Sequence, residues 1–234
     1  RAAARSAWSA AFSAAVVVAL IAVALLAASP VAAETEVLTP DADAAVQESN
    51  PTTNRGSSVL EMRSRPNAGS GRQNVSFVRF SLASVADVAA VTGVTLELES
   101  INQSCTGGCS LHLYGLDDGT AGEDWVESSI IYNNAPTISG DGDPTTQDLD
   151  TTNLTLLDTF QVASSGVSTN STPAMLAFLQ ADTDERVTFV IYMSDAANRN
   201  VHFASKEHAT AMVPTLTLEI SETGVKALTP DADS

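Results

Sequence analysis

The chain has 234 residues, of which 28 are acidic and 11 are basic, so its formal net charge at pH 7 is −17. A negative field of this size repels nucleic acid and anionic membrane surfaces, so neither is an expected partner. The length suffices for one large domain with a buried core, even after a leader segment is removed.

Residues 1–33 have the layout of a secretion signal. The basic residues Arg1 and Arg5 precede an apolar run, which is followed by the helix breaker Pro30 and by small residues up to Ala33. We expect cleavage after Ala33 and an extracellular protein, either free or attached to the cell surface, with no membrane contact after cleavage. The alternative is that the apolar run stays as a membrane anchor, which its alanine-rich composition disfavours.

A hexapeptide, LTPDAD, occupies residues 38–43 and recurs letter for letter at residues 228–233. We predict one domain over residues 34–221, followed by a linker over residues 222–234 that contains the possible start of a second repeat. The full-length chain would then carry neighbouring domains or tandem modules. The alternative is strand-swapped assembly, in which the terminal copy adds to the sheet edge of a neighbouring molecule.

Arginine is concentrated between residues 55 and 79 of this acidic chain. In a strand over residues 59–65, Arg63 and Arg65 project from the same outward face. Their guanidinium forks suit the carboxylates of a uronic-acid polymer. The alternative is that the arginines pair with glutamates on adjacent strands and only decorate a solvated sheet.

Apolar and polar side chains alternate with a period of two residues in many segments, including residues 94–99, 111–114 and 215–220. Turn-forming residues separate these runs at short intervals. The pattern predicts an all-β fold, an antiparallel jelly-roll-like β-sandwich. A further strand, residues 187–194, is apolar on both faces, which indicates a central position covered on both sides.

Two cysteines, Cys105 and Cys109, enclose a turn of small residues between two alternating runs. A hairpin at this turn would bring their Cβ atoms together, and an oxidising compartment favours a disulfide. A zinc-binding pair is the weaker alternative, because two thiols alone form an incomplete zinc shell.

Trp125 is expected to anchor a loop against the core. Glu127 and the amides at residues 133–134 would tie the turns of this loop through bonds from side chain to backbone. No row of aromatic residues is available to grip a crystalline polysaccharide surface.

Two acidic pairs are candidate calcium ligands, namely Asp41 with Asp43 and Asp141 with Asp143, and an acidic cluster within residues 117–124 (Asp117, Asp118, Glu123 and Asp124) is a further candidate. Ca²⁺ takes about six to eight oxygen ligands, so a structural calcium ion is an expectation, although ligand binding requires no cofactor. Solvated, turn-forming aspartates are the alternative.

One helix is predicted over residues 173–180. Thr172 is the N-cap, Pro173 takes the first helical position, and Met175 and Leu179 have core spacing.

A polar group near the C-terminal end is a second candidate ligand surface. It comprises Asn198, Arg199, Asn200 and Lys206, and Tyr192 is the nearest aromatic side chain. Planar amides and charged groups match pairs of sugar hydroxyls, and an aromatic face suits the C–H side of a sugar ring.

Three segments carry a family resemblance through their order: residues 77–82 (FVRFSL), 125–136 (WVESSIIYNNAP) and 201–220, which contain SKEH and VPTLTLEI. Together they resemble the DNRLRE domain, also grouped as carbohydrate-binding module family 96. The resemblance implies a β-sandwich that binds carbohydrate, in some members alginate-like polymers. It carries over Arg79 and Lys206 as matched residues.

We therefore expect a secreted, noncatalytic module that recognises soluble or acidic polysaccharide and belongs to a larger multidomain protein, such as a polysaccharide-degrading enzyme that it assists. The chain has only three histidines and neither a nucleophile elbow nor a zinc-binding HExxH motif. A structural or adhesive repeat of a cell-surface or matrix protein is one alternative. A stand-alone hydrolase or lyase that acts through paired carboxylates is the other.

Overall fold

The computed structural model describes residues 34–56, 59–63, 73–139, 149–193 and 199–221. The expected secretion signal and the second copy of the hexapeptide lie outside these ranges. Within the same ranges, no helix combines the length and the apolarity that crossing a bilayer requires.

The described residues form eleven strands and one α-helix. In chain order the strands are β1 Glu34–Leu38, β2 Ala42–Gln47, β3 Val59–Arg63, β4 Asn74–Ser81, β5 Val91–Gln103, β6 Cys109–Leu116, β7 Leu154–Val162, β8 Gly166–Asn170, β9 Arg186–Met193, β10 Asn200–Ala204 and β11 Thr215–Ile220. The helix is α1, Pro173–Gln180, and two short 3₁₀ turns cover Val88–Ala90 and Tyr132–Asn134.

The strands pair antiparallel in two layers. One layer has the order β2-β4-β9-β6-β7. In the other, β5 pairs with β8, β10 and β11, while β3 joins β10 and β1 joins β11. The layers connect where Arg63 of β3 pairs with Asn74 of β4. The predicted all-β antiparallel sandwich with one short helix is confirmed.

The main core lies where the apolar faces of the alternating strands meet. Leu96 and Leu98 of β5 are fully buried, as are Leu111 of β6 and Leu216 and Leu218 of β11. Their polar neighbours in sequence are more exposed, so each strand has one face in the core and one toward solvent. Burial of these side chains is the dominant stabilising contribution to such a fold.

Strand β9 is covered on both faces, as its sequence predicts. Phe189 and Ile191 point into the main core, whereas Val190 and Tyr192 belong to a second apolar cluster. This second cluster lies on the opposite face of the β2-β4-β9-β6-β7 layer and includes Phe77 of β4. The outer face of this layer is therefore a second core instead of a solvated surface.

Helix α1 has the predicted bounds and the predicted cap. The Thr172 side chain accepts a hydrogen bond from the Met175 N–H at 3.1 Å, and Pro173 occupies the first turn. Met175 and Leu179 are buried in the main core. The helix therefore contributes to packing.

The predicted disulfide joins Cys105 and Cys109, whose Cα atoms are 5.3 Å apart. The turn between them places Gly107 and Gly108 at φ values of 85° and 96°, a backbone conformation that favours glycine. Because the two sulfurs bond to each other, the alternative of a zinc-binding pair is wrong.

Candidate functional site

An open cleft of about 730 Å³ lies beside the start of β2, next to β4 and the first residue of β9. The loop that follows β6 forms one wall and contributes residues 124–128. The lining residues are Asp41, Ala42, Asn54, Gly56, Arg79, Asp124, Trp125, Val126, Glu127, Ser128 and Arg186.

Arg79 of β4 is clamped within the cleft by other parts of the chain. Its Nε and Nη2 donate to the Asp41 carboxylate at 2.8–3.1 Å, and its Nη1 donates to the Trp125 carbonyl at 2.7 Å. The guanidinium carbon also lies 5.1 Å from the centre of the Trp125 ring, within cation–π distance. Arg79 therefore links Asp41, the residue before β2, to the loop after β6.

Trp125 anchors this loop, as predicted. Its side chain is buried against Phe77, and its indole N–H donates to the Thr188 hydroxyl at 3.3 Å. Asn134 ties a turn of the same loop by accepting from the Ile131 N–H at 2.7 Å. A buried indole offers no face on which a sugar ring could stack, so Trp125 positions the cleft wall.

Lys206, in the turn after β10, joins the same region. Its Nζ lies 3.0 Å from Glu127 Oε2 and also contacts Glu207 Oε1. Hydrogen bonding to Glu207, ahead of that to Glu127, raises the pKa of Lys206. Burial alone would raise the pKa of Glu207, but hydrogen bonds from Lys206 and Ser205 outweigh it and lower that pKa.

Asp43 of β2 lies beneath this ion pair with its side chain fully buried. Its Oδ2 accepts the Lys206 backbone N–H at 2.6 Å, and its own N–H lies 3.4 Å from Glu127 Oε2. Burial raises the pKa of Asp43 to about 7, and the negative charges of Glu207 and Glu127 act in the same direction.

The structure brings two of the sequence-predicted ligand residues together. Arg79 and Lys206 both bind the segment 125–127, the first through a carbonyl and the second through a carboxylate. Asp41 and Asp43, predicted as one calcium pair, have different roles here: Asp41 pairs with Arg79, whereas Asp43 faces Glu127 and Glu207.

The described residues of the second polar group have different surroundings. Tyr192 is buried in the second core, and Arg199 donates to the Gly108 carbonyl at 2.9 Å, beside the disulfide turn. The Asn200 amide contacts His202 at 3.2 Å. Tyr192 is therefore not a surface aromatic, and Arg199 lies beside the disulfide turn.

Several predicted ligand residues lie outside the described ranges. They are Arg65, Asn198, Asp141 and Asp143. Arg63 lies in β3 and pairs through its backbone with Asn200. Arg55, another of the clustered arginines, precedes β3, and its Nη1 is 3.4 Å from Glu61 of that strand.

Sequence reasoning missed Arg186, and it considered the partner Asp124 only as a member of a candidate calcium cluster. Arg186 is the first residue of β9, and its Nη1 lies 2.5 Å from Asp124 Oδ1. These residues are 62 positions apart, so no local pattern brings them together. The one usable signal was that Asp124 immediately precedes Trp125 of the second family motif.

The fold is thus a two-layered antiparallel sandwich with an open polar cleft beside its loops. Residues 34–220 match the model of carbohydrate-binding module family 96, and the chain belongs to that family. The resemblance carried by the three ordered segments is thereby confirmed. No curated protein matches the chain.

Membership of this family supports carbohydrate as the class of ligand and a noncatalytic role. The three segments that carry the resemblance are also the ones that the ionic contacts join. Arg79 comes from the first segment, Trp125 and Glu127 from the second, and Lys206 and Glu207 from the third.

Proposed function

We propose that the cleft binds one chain of a soluble acidic polysaccharide, such as an alginate-like polymer, and that the module holds this polymer without cleaving it. The observation that carries the proposal is the exposed guanidinium of Arg186, which lines a cleft of about 730 Å³ next to the clamped Arg79. A cavity of this size is within the range of ligand sites.

Arg186 is suited to exchange its protein partner for a ligand. Its side chain is 44% exposed and that of Asp124 is 85% exposed, so their ion pair contributes little to stability. A uronate carboxylate can take the place of Asp124 and bind the guanidinium fork through two parallel hydrogen bonds.

The remaining cleft surface complements a sugar ring in two ways. Arg79 braces the loop at residues 124–128 against which a ring would lie, because its fork is engaged by Asp41 and by the Trp125 carbonyl. Val126 is 56% exposed at the cleft and offers an apolar contact for the C–H side of a ring. These features favour single polymer chains over crystalline surfaces.

The test is isothermal titration with alginate and polygalacturonate, with a neutral glucan as the comparison. We expect Arg186→Gln to weaken binding of the acidic polymers about tenfold, a loss typical of one charge-assisted contact. Arg199→Gln is the matched control, because Arg199 lies beside the disulfide turn. Loss of binding in the Arg199 variant alone would move the ligand to the second polar group. Failure of the unchanged protein to bind any glycan would overturn the proposal.

The noncatalytic part of the proposal has its own assay. Prolonged incubation with alginate should release neither reducing ends nor unsaturated products. Release of either product by the purified protein, and its loss in a Glu127→Gln variant, would establish an enzyme in place of a binding module.

A structural or adhesive repeat is the second candidate function, and the duplicated hexapeptide favours it. In the first copy, at residues 38–43, Asp41 binds Arg79 and Asp43 is buried beneath Lys206. Because the copy at residues 228–233 contains the same two aspartates, we propose that it opens a second module of the same kind. The full-length gene decides between the functions: neighbouring catalytic domains favour the binding module, and many similar repeats favour the adhesive one.

We also propose that the protein is extracellular. The signal-like composition of residues 1–33 supports export, and the Cys105–Cys109 disulfide suits an oxidising compartment. N-terminal sequencing of the exported protein should begin at Glu34. An intact leader in the exported protein would indicate a retained anchor.

A further inference from the structure

We propose that Asp43, Glu127 and Glu207 form a Ca²⁺-binding site at the junction of the three family segments with β2. One carboxylate oxygen from each residue lies within 4.8 Å of the others, a spacing that lets a single cation contact all three. The proposal does not depend on the identity of the glycan.

A buried oxygen without a partner points to a missing ligand. Asp43 is fully buried, and its Oδ1 accepts no hydrogen bond from any described residue. Among the residues that the structure describes, its Oδ2 accepts the Lys206 backbone N–H. Because a buried carboxylate oxygen that lacks a donor or a cation is strongly destabilising, something outside the described residues must satisfy it.

Charge favours a divalent cation as that ligand. When all three carboxylates are ionised, the Lys206 ammonium group, the one cation paired with them among the described residues, leaves two negative charges uncompensated. Ca²⁺ prefers hard oxygen ligands and tolerates irregular geometry, whereas Mg²⁺ requires a near-ideal octahedron. Glu207 is 39% exposed, so water can complete the shell on that side.

Lys206 is a competitor at this site. Its ammonium group contacts both glutamates, and its side chain is 26% exposed, so it can move toward solvent when a metal enters. Lys206 therefore neutralises part of the negative charge of the three carboxylates when calcium is absent. Replacing Lys206 should consequently tighten calcium binding.

A second acidic cluster provides the contrast. Oxygens of Asp118, Asp182 and Asp184 also lie within 4.8 Å of one another. There Asp118 accepts two hydrogen bonds from Thr183, and Asp182 accepts backbone N–H groups. No oxygen of this cluster is both buried and without a partner among the described residues, so it serves as a control.

The test is the melting temperature of the full chain in EDTA, in millimolar CaCl₂ and in millimolar MgCl₂. Calcium should raise the melting temperature by about 5 °C, and magnesium should have much less effect. Asp43→Asn should abolish the response, whereas Asp184→Asn, which removes the same charge from the exposed cluster, should retain it. Isothermal titration with CaCl₂ should show about fivefold tighter binding for Lys206→Gln.

Glu207→Gln is a second test of the site. The Glu207 side chain is partly exposed, so its replacement disturbs folding less than replacement of the buried Asp43 does. The Glu207→Gln variant should fold and lose the calcium response. Equal melting temperatures in EDTA and CaCl₂ for the unchanged protein would overturn the proposal and leave a bound proton as the partner of Asp43. A response that survives Glu207→Gln but not Asp184→Asn would place the ion in the exposed cluster.

Discussion

Arg79 makes more specific contacts in the cleft than a surface arginine does, because it binds Asp41 through two nitrogens and also the Trp125 carbonyl. Arg79→Lys should destabilise the fold by about 2 kcal/mol, since lysine cannot form the bidentate pair. Arg186→Lys is the control, and it should cost less than about 0.5 kcal/mol because the Arg186–Asp124 pair is exposed. Urea denaturation measures both values. Equal losses would mean that Arg79 is no clamp.

Asp182 is expected to make stability depend on pH. Burial, followed by the charges of Asp118 and Asp184, raises its pKa to about 6. The folded state thus binds this proton more tightly than the unfolded state does, so the contribution of Asp182 to stability falls as pH rises from about 4 to about 6. Asp182→Asn has no such titration and so avoids this loss of stability. The melting temperature of the variant minus that of the unchanged protein should therefore be larger at pH 7.5 than at pH 4.5.

Asp150 provides the control for this pH effect. Hydrogen bonds from Thr152 lower the pKa of the exposed Asp150. The stability that the Asp150 carboxylate contributes is therefore lost only below pH 4.5. The difference in melting temperature between Asp150→Asn and the unchanged protein should be the same at pH 4.5 and at pH 7.5. A constant difference for Asp182→Asn as well would contradict the raised pKa.

Among the structural elements, helix α1 depends on one hydroxyl group. Thr172 Oγ1 accepts the Met175 N–H and donates to the Leu157 carbonyl at 2.7 Å, so it joins the helix to β7. Thr172→Ala should cost about 1–2 kcal/mol, because both bonds are lost. Thr172→Ser keeps the hydroxyl and should cost much less in chemical denaturation. A serine variant as unstable as the alanine variant would assign the effect to the methyl group.

The contact between β6 and α1 requires glycine. A Cβ atom at Gly115 would collide with the ring of Phe178. Gly115→Ala should therefore destabilise the fold by about 2 kcal/mol through overpacking. A double-mutant cycle with Phe178→Leu tests this collision. The smaller leucine relieves it, so the double variant should lose about 1 kcal/mol less stability than the sum of the losses in the two single variants. Additive losses would show that the ring moves aside freely.

In the whole molecule, two apolar cores share strand β4. Phe80 points into the main core, and Phe77 packs against Trp125 in the second one. Phe77→Ala and Phe80→Ala should each cost about 3–5 kcal/mol. Because the shared strand couples the cores, both variants should unfold in one transition, with far-UV and near-UV circular dichroism changing together. Separate near-UV melting in the Phe77 variant would show that the second core unfolds independently.

Features that depend on local sequence were predictable, whereas features that depend on distant pairing were not. Alternation located strands β5, β6 and β11, and the cap at Thr172 with the proline after it located the helix. The partners of Arg79 and Lys206 were not predictable from local sequence. Asp41 lies 38 positions from Arg79, and Glu127 lies 79 positions from Lys206. Their proximity depends on which strands pair, and a period of two carries no information about that choice.

The outermost strand pair of the second layer has a mechanical consequence. In β1 and β11, Glu34 lies opposite Ile220, so the ends of the domain sit side by side at one edge. A tensile load applied through flanking segments would peel this pair apart one hydrogen bond at a time, and each such bond is individually weak. The domain should therefore yield at low force, starting with β1. Because its two ends are adjacent, the domain is also suited to insertion into a loop of a host protein, where it would not force the ends of that loop apart.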